Sequence, residues 1–408
     1  MPVTFQHTTL PNGLTIVAET DPEAHTAACG FFVRTGARDE TLPIMGVSHF
    51  LEHMMFKGTA KRSAEEVNRD FDEIGATYNA FTSHEQTAFH AQVLPEFLPR
   101  ALDILADILR PALREPDFDT EKKVILEEIA MYKDNPMWVL YETTMERFYA
   151  GHPMGFRVLG TEDTVGAMKP DQMRGYFEHR YSADNTVLSL AGRLDFNSTA
   201  ATVLKMCSSW SKTGAVRDAA PPRIAQSDFT LDDPRINRAY MLLVAPAPAM
   251  QDERRYAAMM LAKVLGDPDN SRLHWALVEP GLADEAQAGY DPGDETGTFV
   301  VSATADPERL DEVGAIIDRE IDHIAQNVTA DDLERLRNKL ATGVTLAGER
   351  PGGRMQRLGR MWPYLKKYLS LEEELAAINA VTLDDLRALA KDYPFEPRTV
   401  GRLVPKIG

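Results

Sequence analysis

The stretch Ala27-Ala-Cys-Gly-Phe-Phe-Val-Arg34 is a nearly continuous apolar run, and it decides the fold class. Such a run is typical of a strand in the middle of a sheet that is covered on both faces. Upstream, two alternating runs, Thr4 to Thr9 and Leu14 to Glu19, flank Asn12-Gly13, a pair that favours a tight hairpin turn. Downstream, Val47 to Phe56 has the pattern of a helix. The sequence therefore predicts an opening hairpin, a central strand and a helix.

The same order of elements returns in the second half of the chain. Asp228 to Val244 contains a strand, an Asp-Pro turn and an apolar strand, and a predicted helix follows. Between the halves, residues 208–223 read SSWSKTGAVRDAAPPR, a small and polar composition that is typical of a solvated linker. We therefore predict an α+β fold of two homologous halves, each a mainly antiparallel sheet with helices on one side. The predicted domains are residues 1–210 and 226–408, with a linker over 211–225.

The composition excludes several classes of protein. The 408 residues include 62 acidic and 44 basic side chains, and the formal net charge of −18 repels nucleic acid. The longest uncharged apolar run, Ala239 to Met250, is too short to span a bilayer. The first ten residues lack the basic and apolar regions of a signal peptide, and Cys29 and Cys207 suggest no disulfide framework. We expect a cytoplasmic protein without a membrane span that binds no nucleic acid.

The pentapeptide His49-Phe-Leu-Glu-His53 is the motif with the most chemical content. Positions i and i+4 of a helix lie on one face, so His49 and His53 can present two imidazole nitrogens to one cation, with Glu52 beside them. Two imidazoles and one carboxylate leave zinc a coordination position for water, whose proton a nearby carboxylate can remove. Two histidines on a helix are also common without a metal, so the flanking residues have to decide.

The residues around this motif resemble a known family. Gly46-Val-Ser-His-Phe-Leu-Glu-His-Met-Met-Phe-Lys-Gly-Thr59 is similar to the signature of the pitrilysin-type inverzincins, a family of zinc proteases that includes the mitochondrial processing peptidases and their bacterial relatives. The resemblance covers nearly the whole first half of the chain. The further stretches that resemble the family, in the same order, are Leu10 to Thr15, Asn79 to Thr82, Val124 to Ile129, Leu159 to Glu162 and Tyr181 to Asn185.

The resemblance implies roles for individual residues. It implies that His49 and His53 are ligands of one zinc ion per chain and that Glu52 is the catalytic base. It also implies a third ligand from a glutamate farther along the chain, and Glu128 stands at the matching position. The fold implied is the same two-half α+β architecture that the pattern of elements predicts.

The helix that carries Glu128 can also be interpreted without the family. Glu121 and Glu128 are two helical turns apart and share a face, whereas Glu127 points about 100° away. We expect Glu128 at the metal and Glu127 in solvent. The family counterpart of Glu121 implies that this residue takes part in the catalytic site by supporting a ligand histidine.

The stretch from Thr77 to His90 has the mixed character of an edge strand beside a cleft. An edge strand can hold an extended peptide through main-chain hydrogen bonds. His84 and His90 would share a face of such a strand, but they stand too far apart to bind one ion. The resemblance implies that the substrate is bound at Asn79, Ala80 and Phe81.

The second half departs from the family pattern. If Gly58 is aligned with Gly266, the positions of His49, Glu52 and His53 are occupied by apolar residues in the second half. The stretch Asn270 to Asp284 resembles a family segment in which an arginine and a tyrosine hold the substrate backbone and the developing oxyanion. This chain has Val278 and Asp284 instead. The positions aligned with His49, Glu52 and His53 are Ala257, Met260 and Leu261.

Two explanations of this departure stay open. In the first, the chain forms a heterodimer with a homologous chain that supplies the arginine and the tyrosine. In the second, a homodimer suffices, because Arg272 or Tyr290 of this chain acts as the donor.

The predicted function is that of a zinc metallopeptidase, an endopeptidase that hydrolyses peptides or unfolded segments with metal-activated water. The alternative is a non-catalytic scaffold subunit, like the core subunits of respiratory complexes that resemble processing peptidases. Such a subunit would not bind zinc stoichiometrically. A third interpretation is a metal-dependent hydrolase of small molecules, which would cleave no peptide.

Overall fold

Eleven strands and fourteen α-helices are found in residues 3–218 and 222–406, the parts of the chain that the computed structural model describes. None of these helices combines the length and the apolar composition needed to cross a bilayer. The strands are β1 (Thr4–Thr9), β2 (Thr15–Thr20), β3 (Ala27–Val33), β4 (Thr77–Thr82), β5 (Thr87–Val93), β6 (Thr186–Gly192), β7 (Ser227–Asp233), β8 (Ala239–Pro246), β9 (Glu285–Pro292), β10 (Gly297–Ala305) and β11 (Thr399–Pro405). The helices are α1 (Val47–Met55), α2 (Ala64–Glu73), α3 (Leu98–Ile108), α4 (Glu115–Lys133), α5 (Pro136–Phe148), α6 (Glu162–Ala167), α7 (Pro170–Arg180), α8 (Phe196–Cys207), α9 (Arg255–Gly266), α10 (Leu310–Asn327), α11 (Ala330–Gly348), α12 (Pro351–Leu365), α13 (Leu371–Ala380) and α14 (Leu383–Asp392).

The chain forms two compact units, and neither is continuous in sequence. Each unit holds one sheet and takes one helical segment from the other half of the chain. The first unit consists of Met1–Ala130, Phe156–Asp218 and Leu346–Tyr368, and the second of Met131–Gly155, Ala219–Thr345 and Leu369–Gly408.

The sheet of the first unit has the strand order β1-β2-β6-β3-β5-β4. Its neighbours are antiparallel except for β2 and β6, which run parallel. All residues of β3 are buried, as its apolar sequence requires of a strand with neighbours on both sides and cover on both faces. The predicted hairpin, central strand and mainly antiparallel sheet are confirmed.

Helices cover both faces of this sheet. Alternate residues of β3 point to opposite faces: Phe31 packs against Trp210, with ring centroids 5.4 Å apart, and Phe32 packs against α12. At Gly359 of α12 a Cβ atom would lie 2.0 Å from the Phe32 ring, so only glycine permits this approach. The prediction of helices on one side is therefore wrong for this sheet, because α12 returns from the second half of the chain to cover the other side.

The second unit repeats this plan. Its sheet has the order β7-β11-β8-β10-β9, and β7 and β11 are its parallel pair, as β2 and β6 are in the first sheet. Helix α9 packs on β9 and α14, and α5 packs on β8 and β11. Ala257, Met260 and Leu261, the counterparts of the motif residues, are buried in its apolar core. The predicted repeat of a strand, a turn, a strand and a helix is confirmed.

The predicted linker, 211–225, includes residues 219–221, which lie outside the described residues. Its described parts form no helix or strand. Arg217 is nevertheless buried: its Nε and Nη2 donate to the two carboxylate oxygens of Asp39 at 3.0 and 2.7 Å. The part of the linker around Arg217 is thus fixed to the first unit, which a purely solvated segment would not be.

Candidate metal centre

Helix α1 is fixed at the point where it begins. Gly46 precedes it with φ +96°, and a Cβ atom there would lie 2.6 Å from the Leu159 carbonyl oxygen, so only glycine fits. The buried carboxylate of Glu40 accepts hydrogen bonds from the Gly46 and Ser48 N–H groups at 2.7 and 2.8 Å. Burial raises the pKa of Glu40 to about 8, although these two bonds lower it. The start of the motif helix is therefore set by contacts outside the motif.

Helix α4 is packed directly against α1. The Phe50 ring stacks on Phe118 with centroids 4.7 Å apart, and Ile125 and Ile129 bury the same side of α4. This packing brings one face of α4, with Glu121 and Glu128, to the histidines, as the spacing of seven residues requires.

Three side chains form a cluster of metal-ligand type. Glu128 Oε2 lies 3.8 Å from His49 Nε2 and 3.6 Å from His53 Nε2, and all three ligand atoms lie within 4.8 Å of one another. One zinc ion bound at its usual ligand distances of about 2.0–2.2 Å brings its ligand atoms to separations close to these. No other group of at least three histidine, cysteine or acidic side chains meets this criterion in the described parts of the chain. The donor set therefore fits zinc.

Both histidines are suited to donate a lone pair. Burial lowers the pKa of His49 to about 3, so its imidazole is neutral at pH 7. Its Nδ1 is buried without a hydrogen-bond partner among the described residues. His53 Nδ1 lies 2.8 Å from Glu121 Oε1, a contact that holds the proton on Nδ1 and leaves Nε2 for the metal.

Glu121 is held by two groups. Lys57 Nζ lies 2.6 Å from its Oε2, opposite the oxygen that contacts His53. Burial raises the pKa of the Glu121 carboxyl, but the bonds to His53 and Lys57 outweigh burial and lower it. Burial likewise lowers the pKa of His53, whereas Glu121 and the nearby carboxylates raise it above its ordinary value. Glu127 is exposed on another face of α4.

Glu52 lies on α1 beside the two histidines. Thr82 Oγ1 donates to its Oε2 at 2.6 Å. Burial raises the pKa of Glu52, and the Thr82 bond and the His53 charge partly offset this. A carboxyl group with a raised pKa is a better match for proton transfer near neutral pH.

Residues 77–90 form a hairpin, so the prediction of one strand from Thr77 to His90 is wrong. The turn Ser83–Gln86 separates β4 from β5, and β4 is the edge of the sheet. His84 lies in the turn, with Nε2 3.1 Å from the Phe156 carbonyl oxygen, and His90 lies in β5 opposite Gly30. The two histidines therefore share no face.

The three residues predicted to bind substrate lie in the edge strand. Asn79 Oδ1 accepts a hydrogen bond from the Ala80 N–H at 2.9 Å. The Phe81 ring points to the α12 side, where the guanidinium of Arg360 lies 4.5 Å from its centroid. Thr82 and Lys57 were missed by the sequence reasoning, although both lie in stretches that resemble the family. Their spacing alone gives no sign of their partners.

The second unit lacks an arginine or a tyrosine at the two departing positions. Val278 packs against the core, and Asp284 forms an ion pair with Arg238. Arg272 donates to the Asn327 carbonyl oxygen at 2.7 Å and also binds Asp332. The Tyr290 hydroxyl donates to the Pro248 carbonyl oxygen at 2.7 Å. Both alternative donors are thus engaged within the second unit.

Two family models match the chain. The model described as insulinase (peptidase family M16) matches residues 15–162, and the model of the peptidase M16 inactive domain matches residues 167–340. All of the cluster residues lie in the first of these ranges.

Relatives and solved structures agree with these matches. An "uncharacterized zinc protease" of Streptomyces coelicolor is 35% identical over 402 residues, which cover 95% of this chain and 87% of that protein. One of Bacillus subtilis is 31% identical over 97% of both chains. The crystal structure of a protease from Helicobacter pylori has a TM-score of 0.90 at 20% identity and covers 99% of this chain and 100% of its own. A chain of complex III2 from Candida albicans has a TM-score of 0.84 at 16% identity, with 98% and 95% covered.

Proposed function

Because the chain belongs to the insulinase family, peptidase family M16, we propose that it is a zinc-dependent endopeptidase that hydrolyses peptides or unfolded segments. The observation that carries the proposal is the convergence of His49, His53 and Glu128 within 4.8 Å, with Glu52 on the same helix as the two histidines. The relatives named as zinc proteases support it.

The proposed cofactor is one zinc ion per chain, held by His49 Nε2, His53 Nε2 and Glu128 Oε2. When bound there, zinc supplies a positive charge that polarises a carbonyl oxygen and makes a neighbouring water more acidic. The neutral state of His49 leaves its Nε2 available, and the Nδ1 contact of His53 with Glu121 directs His53 to bind through Nε2.

Glu52 is the proposed catalytic base and acid. Its carboxylate takes a proton from the attacking water as the oxygen forms its bond to the scissile carbonyl carbon. The carboxyl then gives that proton to the amine nitrogen as the carbon–nitrogen bond breaks, so Glu52 ends the cycle ionised. Its partly buried position keeps bulk water from competing for the proton.

Glu121 is proposed as a positioning residue for His53 rather than a group that contacts substrate. Its side chain is nearly fully buried between His53 and Lys57. By accepting the His53 Nδ1 proton it fixes the tautomer and the ring orientation that binding through Nε2 requires.

The proposed substrate is an extended peptide that adds a strand to the open edge of β4. Asn79, Ala80 and Phe81 lie in this strand, and main-chain hydrogen bonds there would give affinity with little dependence on side chains. Phe81 points away from the α1 side, so its contribution is to the packing of the strand.

The proposed assembly follows from Val278 and Asp284. In a heterodimer, a homologous chain supplies the arginine and tyrosine that this chain lacks; in a homodimer, Arg272 or Tyr290 takes that role. The proposed location is the cytoplasm.

A scaffold subunit is the second candidate, and the fold shared with a chain of complex III2 favours it. The intact metal-ligand cluster argues against it, because a scaffold needs no such cluster. Metal content separates the two: a scaffold purifies without stoichiometric zinc. A hydrolase of small molecules, the third candidate, would bind zinc but cleave no unfolded peptide.

The test compares the wild-type chain with Glu52→Gln and with Glu127→Gln as the matched control. Zinc content is measured by atomic absorption and hydrolysis with an unfolded, casein-derived peptide. We expect Glu52→Gln to keep its zinc and lose hydrolysis, because the amide cannot accept the proton while all three ligands remain. Glu127→Gln should match the wild type. Hydrolysis by Glu52→Gln within tenfold of the wild type would remove Glu52 from this role.

A further inference from the structure

Thr82 makes a single, short contact with the proposed base. Its Oγ1 donates to Glu52 Oε2 at 2.6 Å, across 30 residues of sequence. Within the described residues this is the one hydrogen bond that the Glu52 carboxylate makes. The bond fixes one carboxylate oxygen, and Oε1 has no hydrogen-bond partner in the described part of the chain.

The backbone of Thr82 points to the open edge of the sheet. The Ser83 N–H donates to the Gln86 carbonyl oxygen at 2.8 Å, so this pair at the turn is hydrogen-bonded. Bonded and non-bonded pairs alternate along antiparallel strands. The opposed pair Thr82 and Thr87 is therefore non-bonded, and the N–H and C=O of Thr82 point away from β5, where β4 has no neighbour.

The side chain of Thr82 points to the face of the sheet that α1 and α2 cover. Alternate residues of a strand share a face, so Thr82 lies on the face of Tyr78 and Ala80. The Tyr78 ring stacks on Phe71 of α2 with centroids 4.1 Å apart, which identifies this face as the one that α2 covers, opposite to the α12 face. One residue thus presents its main chain to an incoming strand and its hydroxyl to Glu52.

We propose that Thr82 is a positioning residue that fixes the Glu52 carboxylate relative to a peptide added to the edge of β4. The inference rests on the proposed function, since it assigns a task to a neighbour of the base. Thr82 pairs with a peptide on β4 through its main chain and orients Glu52 through its hydroxyl. It therefore fixes the distance between the scissile bond and the carboxylate that accepts the proton. The expected loss on removing the hydroxyl is in turnover, not in peptide binding.

Three variants test this assignment. Thr82→Val keeps the shape and the strand propensity of threonine but removes the donor. Thr82→Ser keeps the donor. Thr4→Val makes the same change at the exposed start of β1, the opposite edge of the same sheet, and serves as the matched control.

Steady-state hydrolysis of an unfolded peptide, zinc content and the unfolding midpoint in urea are measured for each variant. For Thr82→Val we expect kcat at least about tenfold lower, KM within about twofold and unchanged zinc content. Thr82→Ser should recover kcat to within about threefold, and Thr4→Val should match the wild type. An unchanged kcat in Thr82→Val, a change in KM alone, or a failure of Thr82→Ser to recover would overturn the proposal.

A second measurement does not depend on activity. The urea midpoints of Thr82→Val, Glu52→Ala, which removes the acceptor, and the double variant form a double-mutant cycle. We expect non-additive shifts, because either single change breaks the same bond, and additive shifts would overturn the proposal. If the wild-type chain binds zinc but cleaves no peptide, the proposed function fails, while this cycle still decides whether Thr82 holds Glu52.

Discussion

The orientation of His53 depends on its contact with Glu121, which Lys57 holds in turn. Glu121 accepts its Nδ1 proton, and Lys57 occupies the other oxygen of the same carboxylate. The contacts of Lys57 with Glu121 and of Glu121 with His53 therefore hold the His53 ring in one orientation on the face of α1 that carries both histidines. Such outer contacts decide how well a pair of imidazoles is arranged before the ion arrives.

We predict that Glu121→Gln weakens zinc binding by about tenfold. The amide oxygen of the glutamine can still accept a hydrogen bond from His53. The side chain is no longer charged, however, so the ion pair with Lys57 is lost. Competition with a chromogenic chelator measures the affinity. Glu128→Gln, which deletes a proposed ligand, should be weaker still, and Glu127→Gln should equal the wild type. Equal affinities for Glu121→Gln and the wild type would show that Glu121 does not position His53.

For single residues, the sequence predicted the contacts between side chains that lie within one helix. His49, Glu52 and His53 sit on one helix turn, and the helical period paired Glu121 with Glu128. Thr82 could not be predicted as the partner of Glu52, because their contact depends on how β4 packs against α1. Burial and hydrogen bonds between distant residues carry no periodic signal.

The hairpin β4–β5 was not predicted from the sequence, which indicated a single strand. Its turn, Ser83–Gln86, contains no glycine, proline or asparagine, the usual markers of a turn. Hydrogen bonds from the Glu85 and Gln86 N–H groups to Ser83 Oγ form it, and Arg38 lies 2.5 Å from the Glu85 carboxylate. Side-chain and tertiary contacts replaced the backbone preference on which turn prediction relies.

An ion-pair cluster joins two helices of the second unit. Asp267 follows α9, and its fully buried carboxylate lies 2.6 Å from Lys339 Nζ of α11 and 3.5 Å from Lys263 Nζ. Burial raises the pKa of Asp267, but the two lysines and the hydrogen bonds outweigh burial and hold it below its ordinary value of 3.8. A carboxyl whose pKa is lower in the folded state stabilises the fold above the unfolded pKa and loses this effect as the pH falls.

We predict that Asp267→Asn lowers the free energy of unfolding by about 1–3 kcal/mol at pH 7. The difference from the wild type should persist down to about pH 4 and shrink below the ordinary pKa of 3.8, where the carboxylate takes up a proton. Urea unfolding at a series of pH values measures it. Asp269→Asn, an exposed neighbour, is the control and should have little effect. A difference independent of pH would mean that packing, not charge, accounts for the loss.

Over the whole molecule, the repeat of elements predicted the two sheets but not which helices cover them. The patterns of α5 and α12 are those of ordinary helices, and a sequence pattern does not say which sheet a helix meets. Each of the two packs on the sheet of the opposite half of the sequence. Long-range pairing of this kind is decided by the fit of surfaces such as Phe32 and Gly359, which no local pattern records.

We predict that the purified chain alone is a weak peptidase. Val278 and Asp284 cannot donate to an oxyanion, and one such donor changes turnover by about 100-fold or more. Adding a homologous chain with arginine and tyrosine at these positions should raise kcat/KM by about that factor. The same mixture made with Glu52→Gln should stay inactive, which assigns the chemistry to this chain. Efficient turnover by the chain alone would contradict the prediction and direct attention to Arg272 and Tyr290.

The exchange of α5 and α12 also limits how the gene can be divided. Because α12 is encoded after the second sheet has begun, a gene fragment that stops at the linker encodes a first sheet with one bare face. Phe32 and Ala88, which are buried against Met355, would then be exposed to water, and a patch of this kind promotes aggregation. A gene for the first unit alone therefore has to encode α12 as well, and a gene for the second unit has to encode α5. A division of the gene at the linker gives neither unit its complete set of helices.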